Sequence, residues 1–384
     1  MKSTIKEVVL ISIGSPALLE TWSGVPYFLL KELTRRQIKV NIIDLEPARI
    51  IKIIYNKIIL PIISVFIKNG ELSIYRSLFF RIYQKAIYKK ELYKHKTADA
   101  IIGLSYNLMI PKISKRVILL SDWPFSYDLQ KKGITPGIYQ KFYICREKEC
   151  MMNASQVISL FPTCANYIND FLGEKKAIAL GVNVVNNLFS DPNKGVVSRK
   201  SDNKRIVFIG RKHYIQGARS LIASFKVLKK LIPTLQLDLV GLVESDFPKS
   251  FLEDVSDLKF WGYLDKGNKE QCKIYYEILN NASLYVNTTY GWVGYTSMIE
   301  AMYYYTPVVV YPCKEFIDEF GDEINFGVYC NNDDSLVNII HTLLSDSDKY
   351  EQLCVSAHNR VAHYTWANFT DELLSIISED RCND

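Results

Sequence analysis

Short, almost continuous apolar runs alternate with amphipathic stretches along the whole chain. Residues 8–13, Val-Val-Leu-Ile-Ser-Ile, read as a strand covered on both faces. A loop with Gly14, Ser15 and Pro16 follows. Ser23-Gly24-Val25-Pro26 then opens a helix over 27–36, with Ser23 or Gly24 as its cap and the proline tolerated in the first turn. Residues 39–44 are the next strand, so the chain opens strand, helix, strand, as a parallel sheet does. Further short strands are predicted at 100–103, 117–120, 156–160 and 177–180, and Gly181-Val182-Asn183 reads as a turn. A polar stretch with Pro192 and Gly195 predicts a linker over 189–204. After it the pattern restarts, with strands at 205–210, 235–241, 258–262, 282–287 and 307–311, each ending near a glycine or polar loop. The expected fold is α/β, with two Rossmann-like, doubly wound domains: 1–188, and 205–364 after the linker. Residues 365–384 form a final helical segment. In such sheets ligands bind at the carboxyl ends of the strands.

Composition adds limits. A chain of 384 residues with 48% hydrophobic and 23% charged residues builds large cores, which excludes a disordered tail, a fibre or a disulfide miniprotein. The net charge of +6 is too mild to imply nucleic acid, but it is unevenly placed. Residues 48–96 hold eleven Lys/Arg against Glu71 and Glu91, a net +9, which leaves −3 for the rest. The same stretch is rich in Ile, Leu and Phe, a composition suited to an anionic membrane surface; it equally fits core helices with a solvated basic face. Its longest uncharged run, 58–67, has ten residues and contains Pro61, too short to span a bilayer. The eight cysteines form no C-x-x-C pair and read as reduced, mostly buried thiols. The N-terminus lacks a signal-peptide pattern. The five histidines show no metal-ligand spacing, and no metal site is expected. No dinucleotide fingerprint, phosphate-binding Walker loop or nucleophile elbow is present.

The densest chemistry lies in 288–311. A strand ends at Asn287, a loop with Gly291 and Gly294 follows, and a helix begins near Thr296. Glycines admit a ligand close to the backbone, and the helix N-terminus offers free N–H groups and a positive dipole end, as a phosphate site requires. Thr296 and Ser297 add hydroxyls. Glu300, one turn in, suits a vicinal diol. Read alone, the same residues also fit an ordinary capped helix with a dipole-favoured glutamate. Asp122, after an apolar strand, fits a reacting centre or a plain Asx turn. Trp292 suits stacking on a sugar face or filling the loop. Glu147 and Glu149 read as a solvated or interdomain face.

Ile299-Glu300-Ala301-Met302, followed four residues later by Pro307-Val308-Val309, resembles the donor-binding motif of the GT-B glycosyltransferases of family 4. Other stretches fall in the family's order: Ser15-Pro16 with 21–27, Leu120-Ser121-Asp122-Trp123-Pro124-Phe125, Leu180-Gly181-Val182-Asn183, and Ile209-Gly210-Arg211. The resemblance implies two Rossmann-like domains facing a cleft, with the last helix crossing back to the first domain and Trp366 at that crossing. Glu300 matches the glutamate that binds the nucleotide ribose. The family's partner glutamate falls on Trp292. Arg211 matches the arginine of a diphosphate clamp whose lysine falls on Gln216, with Lys212 and His213 nearby.

The resemblance thus implies transfer of a sugar from a nucleotide-sugar, a UDP- or GDP-sugar, to a glycan or lipid-linked glycan, with retention and without a metal or other cofactor. Asp122, Arg211 and Glu300 are the expected catalytic residues. Ser23, Gly24, Arg211, Lys212, Gln216, Gly262, Tyr263, Leu264, Trp292, Gly294, Tyr295, Thr296, Ser297 and Glu300 are expected to line the nucleotide-sugar. The expected setting is the bacterial cytoplasm, peripheral to the inner face of the membrane through residues 48–96, in cell-surface polysaccharide synthesis. A GT-B-fold nucleotide-sugar epimerase and a non-catalytic nucleotide-sugar-binding scaffold are the alternatives.

Overall fold

The computed structural model describes residues 5–66, 73–111, 116–180, 184–253, 255–291 and 295–379. The chain divides into two compact units, one of Met1–Val182 with Ala367–Asp384 and one of Asn183–Trp366.

The first unit holds a six-stranded sheet of β1 (Glu7–Ser12), β2 (Lys39–Asp44), β3 (Ala100–Gly103), β4 (Arg116–Ser121), β5 (Gln156–Ser159) and β6 (Ala177–Ala179). Every pairing is parallel, in the order β2-β1-β3-β4-β5-β6. Val8 to Ile11 and Ala100 to Ile102 are almost wholly buried, as continuous apolar strands under helices on both faces should be. Each such Val, Leu or Ile contributes roughly 1.5–3 kcal/mol. The order reverses between β1 and β3, which makes the carboxyl ends of those strands the switch point. The helix Val25–Arg35 leaves that edge and buries Pro26, Phe28, Leu29 and Leu33. From Ala367 the helix Trp366–Glu379 belongs to this unit. The Arg36 guanidinium holds it, donating to Asp371 Oδ1 at 2.7 and 2.9 Å and to the Ala367 carbonyl at 2.7 Å.

The basic stretch forms two helices, Arg49–Ile54 and Leu60–Phe66, joined by a π-helical turn over Tyr55–Ile59, and after an interval the helix Leu78–Lys94. Ile50, Ile54, Ile58 and Ile62 recur every four residues and are all exposed. Residues 67–72 of this stretch, the turn at Gly181-Val182-Asn183, and Cys382 lie outside the described residues. Among the described residues, no helix is long and apolar enough to cross a membrane. Among the described residues the seven cysteines form no disulfide, and six of them are buried.

The second unit repeats the architecture with β7 (Arg205–Ile209), β8 (Gln236–Val240), β9 (Leu258–Gly262), β10 (Leu284–Asn287), β11 (Val308–Val310) and β12 (Gly327–Tyr329). The sheet is parallel, in the order β12-β11-β10-β7-β8-β9, with its switch point between β7 and β10. The stretch 189–204, expected as a linker, contains the helix Val196–Asn203 and lies within this unit. Its polar composition misled because Lys200 is completely buried: its ammonium donates to the carbonyls of Leu279 and Ala282 at 2.7 and 2.9 Å and to Thr306 Oγ1 at 2.7 Å.

Candidate functional site

In the second unit the expected site residues gather where the topology demands. Arg211 follows β7, Tyr263 and Leu264 follow β9, and the loop from Thr288 leads from β10 to the helix Tyr295–Tyr303. All three loops leave carboxyl ends, and those after β7 and β10 flank the switch point. Gly217, in the helix Ile215–Leu231, lets that helix close on the β10 loop: a side-chain carbon there would lie 2.4 Å from Thr289 Oγ1 and 2.8 Å from its backbone nitrogen. Thr289 is itself fixed, donating through its N–H and hydroxyl to Asn287 Oδ1 at 3.2 and 2.7 Å.

Glu300 is the most constrained group. It is 1% exposed, one and a half turns into its helix. Lys266 Nζ donates to its two carboxylate oxygens at 2.7 and 2.8 Å, and the buried Tyr275 hydroxyl donates to Oε2 at 2.5 Å. The ammonium also sits 4.2 Å from the centre of the Tyr275 ring. A buried carboxylate requires such partners, since desolvation without a counter-charge is costly. Oε1 carries a single contact and so retains a lone pair for a ligand hydroxyl.

The Arg211 side chain is exposed, with its guanidinium 4.7 Å from the centre of the Tyr263 ring. Lys212 instead pairs with Asp246 at 2.8 Å, and Gln216 is exposed on the first turn of its helix. His213 is held below the usual imidazole range by burial and by the charge of Arg211. Ser297 Oγ meets Tyr285 Oη at 3.0 Å, Thr296 is partly buried beside it, and Tyr295 is buried against Phe316 with ring centres 4.9 Å apart. Gly262 ends β9 in a left-handed conformation with φ +61°. The buried Thr288 hydroxyl at the end of β10 has no hydrogen-bond partner among the described residues. Trp292 and Gly294 lie outside the described residues.

In the first unit Ser23 and Gly24 enter the helix Val25–Arg35 through a strained turn. Trp22, Ser23 and Gly24 have φ of 39°, 55° and 86° in succession. Two non-glycine residues in that region cost about 1–3 kcal/mol each, and strain of this kind gathers at functional sites. Trp22 Nε1 donates to Asp122 Oδ2 at 3.2 Å, which ties the β1 loop to the end of β4. Burial pushes the Asp122 carboxyl up to about 6, against the Trp22 hydrogen bond.

Glu147 corrects an expectation. It does not line a solvated face but is 5% exposed inside the first unit, accepting the Phe125 N–H at 2.8 Å, while Glu149 is the exposed member of the pair. Burial pushes Glu147 up to about 7. Its folded pKa therefore exceeds its unfolded value, so its contribution to stability is greatest at low pH and is lost as pH rises from about 4.5 to 7. Glu147→Gln, whose amide oxygen accepts the same N–H, is expected to match the parent near pH 4.5 and to exceed it by roughly 2–3 kcal/mol at pH 8. Melting temperatures across that range check this, and a variant less stable at every pH would show that the charge itself is needed.

Lys266, Tyr275, Trp22 and Gly217 were not legible as site residues. Lys266 stands 34 positions from the glutamate it pairs with, and no sequence spacing signals that meeting.

Residues 190–360 match the family model described as "Glycosyl transferases group 1". Among curated proteins none matches the sequence. Among solved structures the chain is similar to a sucrose-phosphate synthase from Thermosynechococcus elongatus, with 16% identity, TM-score 0.68, and 99% of this chain and 100% of that one covered. It is also similar to WaaG, a glycosyltransferase involved in lipopolysaccharide biosynthesis, with 12% identity, TM-score 0.64, and 97% and 99% covered. A third is Anabaena HepE in complex with UDP and glucose, with 15% identity, TM-score 0.62, and 98% and 100% covered. The fold is GT-B, with two Rossmann-like units, and the family match supports glycosyl transfer.

Proposed function

We propose that this GT-B-fold chain transfers a sugar from a UDP- or GDP-sugar to a glycan or lipid-linked glycan, with retention and without a metal, in bacterial cell-surface polysaccharide synthesis. The observation that carries the reading is Glu300. It is a buried, anchored carboxylate inside the region of the family match, next to the sheet's switch point. The likeness to a HepE structure holding UDP and glucose supports a nucleotide-sugar donor.

In this reading the Glu300 carboxylate accepts hydrogen bonds from the ribose hydroxyls, with Lys266 and Tyr275 fixing its orientation. The diphosphate lies between Arg211 and the N-terminus of the Tyr295–Tyr303 helix, where Thr296 and Ser297 add hydroxyl donors. As the bond from the anomeric carbon to the diphosphate breaks, charge develops on the leaving oxygen. Fixed donors aimed there stabilise the transition state more than the ground state. The acceptor oxygen bonds to the same face of that carbon, and its proton leaves with the diphosphate. Tyr263, exposed beside Arg211, offers a face to the base. Asp122, Ser23 and Gly24, in the first unit, are the residues assigned to the acceptor. The exposed isoleucines and lysines of 48–96 dock the chain on an anionic membrane at its cytoplasmic face.

Calorimetric titration with UDP, GDP and CMP tests the donor site. One nucleoside diphosphate is expected to bind, and Glu300→Ala is expected to weaken it by about tenfold or more, the loss of a charge-assisted hydrogen bond. Equal binding by the variant would place the nucleotide elsewhere. Binding without turnover on any glycan would favour the scaffold alternative.

A further inference from the structure

The first unit carries a polar pocket outside the residues assigned above to sugar transfer. This small pocket, open to solvent on one side, lies at the N-terminus of the helix Leu78–Lys94 and is lined by Ser77, Arg81, Gln84, Asn107, Met109 and Arg146. Its polar groups differ sharply in how well they are satisfied. Gln84 is used at both ends, donating to the Asn107 carbonyl and accepting from the Met109 N–H, each at 3.0 Å. Asn107 Nδ2 donates to the Tyr75 carbonyl at 2.6 Å. These bonds build a rigid wall.

The arginines are not satisfied in this way. Arg146 is 6% exposed, yet its Nε has no hydrogen-bond partner, and its one backbone contact is Nη2 to the Arg76 carbonyl at 3.1 Å. Among the described residues no carboxylate pairs with it. Arg81 reaches Glu149 only at 3.6 Å, beyond hydrogen-bond length. Two guanidinium groups therefore share a half-enclosed polar pocket, Arg81 with only the exposed, loosely held Glu149 as its counter-charge and Arg146 with no carboxylate partner among the described residues. A buried, uncompensated arginine is expensive, and burial and Arg81 both depress the Arg146 pKa. An oxyanion with several acceptor oxygens removes both costs at once, because it takes the fork of each arginine and faces the positive end of a helix of 17 residues. Leu78, Phe79 and Ile82, on the helix that carries Arg81, and Phe142, on the helix that carries Arg146, are exposed apolar residues.

We propose that this pocket binds a phosphate group, presented either by a lipid whose apolar part meets the exposed apolar residues of these two helices or by a soluble phosphate compound. The site is independent of the sugar-transfer reading and of Arg211.

The test uses the full chain, thermal shift and calorimetry with inorganic phosphate and pyrophosphate at constant ionic strength, and four variants. Arg81→Gln, at a partly exposed position, is expected to fold and to bind pyrophosphate about tenfold to a hundredfold more weakly. Arg146→Gln is expected to do the same. Arg211→Ala, in the other unit, is expected to remove only pyrophosphate bound at the donor site, and Lys175→Gln, an exposed charge of the first unit outside both the pocket and residues 48–96, is expected to leave this binding in place. No phosphate binding by the parent overturns the proposal. So does binding that survives Arg81→Gln and Arg146→Gln but is lost in Arg211→Ala. Vesicles then separate the sources. Retention on phosphatidylcholine vesicles containing phosphatidic acid, competed by pyrophosphate and lost in Arg81→Gln but not in Lys175→Gln, assigns a lipid phosphate. Pyrophosphate binding with no preference for those vesicles over plain phosphatidylcholine assigns a soluble one. Absence of binding to any vesicle would also remove membrane docking by 48–96.

Discussion

Replacing Arg211 with alanine is expected to lower kcat for sugar transfer by about 10²–10³-fold, roughly 3–4 kcal/mol of transition-state stabilisation. Arg211 is exposed at the end of β7, on the switch-point edge of its sheet, where a ligand phosphate meets it without any rearrangement of the core. Tyr263 supports its guanidinium from one face at 4.7 Å, which limits the rotamers it must give up on binding. The planar fork matches two phosphate oxygens at once, so Arg211→Lys is expected to recover a part of the activity and not all of it. Because the charge to be stabilised grows as the leaving bond breaks, the loss should fall on kcat more than on KM. With Gln216 standing where the family resemblance puts the second cation of the clamp, Arg211 is expected to carry a larger share of the stabilisation. Steady-state kinetics on the donor found by titration settle the matter: a variant with altered KM and an unchanged kcat would remove Arg211 from the leaving-group role.

Lys200→Met is expected to destabilise the second unit by roughly 3–5 kcal/mol, as read by denaturant or thermal unfolding. Lys200 projects from the Val196–Asn203 helix into the end of the Lys269–Asn281 helix, where Leu279 and Ala282 present carbonyls with no continuing turn to accept from. A cation at a helix C-terminus both satisfies those carbonyls and complements the dipole. Burial pushes the Lys200 ammonium down to about 7, while three oxygen acceptors within 2.9 Å favour the charged form. Methionine keeps the length and loses all three bonds, leaving two carbonyls and the Thr306 hydroxyl without their shared donor. For a unit of this size that corresponds to a fall of roughly 10 °C in Tm. A variant as stable as the parent would show that Thr306 or water replaces the ammonium at no cost.

The two Rossmann-like halves were legible because most strands are apolar runs closed by a glycine or polar loop, whereas β12, only three residues long, was not among the expected strands. That pattern survives any detail of packing. The elements that carry the candidate site of the second unit were legible for the same reason. Asn287 ends a strand, Glu300 follows by one helical turn and a half, and Arg211 follows a strand-ending Gly210, all local relations along the chain. The stretch 189–204 misled through its composition. Polar residues read as solvated, and nothing local reveals that Lys200 is drawn inward by carbonyls some 80 positions away. Glu147 misled in the same way, since its acidic neighbourhood suggests a wet surface and its burial depends on Phe125, 22 residues earlier.

Local order along the chain thus dictates strands, helices and which loops emerge at the carboxyl edge, because backbone hydrogen bonding and side-chain periodicity act over a few residues. It does not dictate which charges meet. Lys266 on Glu300, Trp22 on Asp122, and Arg81 beside Arg146 are partnerships across 34, 100 and 65 positions. Each arises from the order in which parallel strands are laid beside one another, and from the desolvation penalty that makes a buried charge find a partner or leave a place for one. Those two things belong to the tertiary structure, and in this protein they decide the electrostatics of both candidate sites.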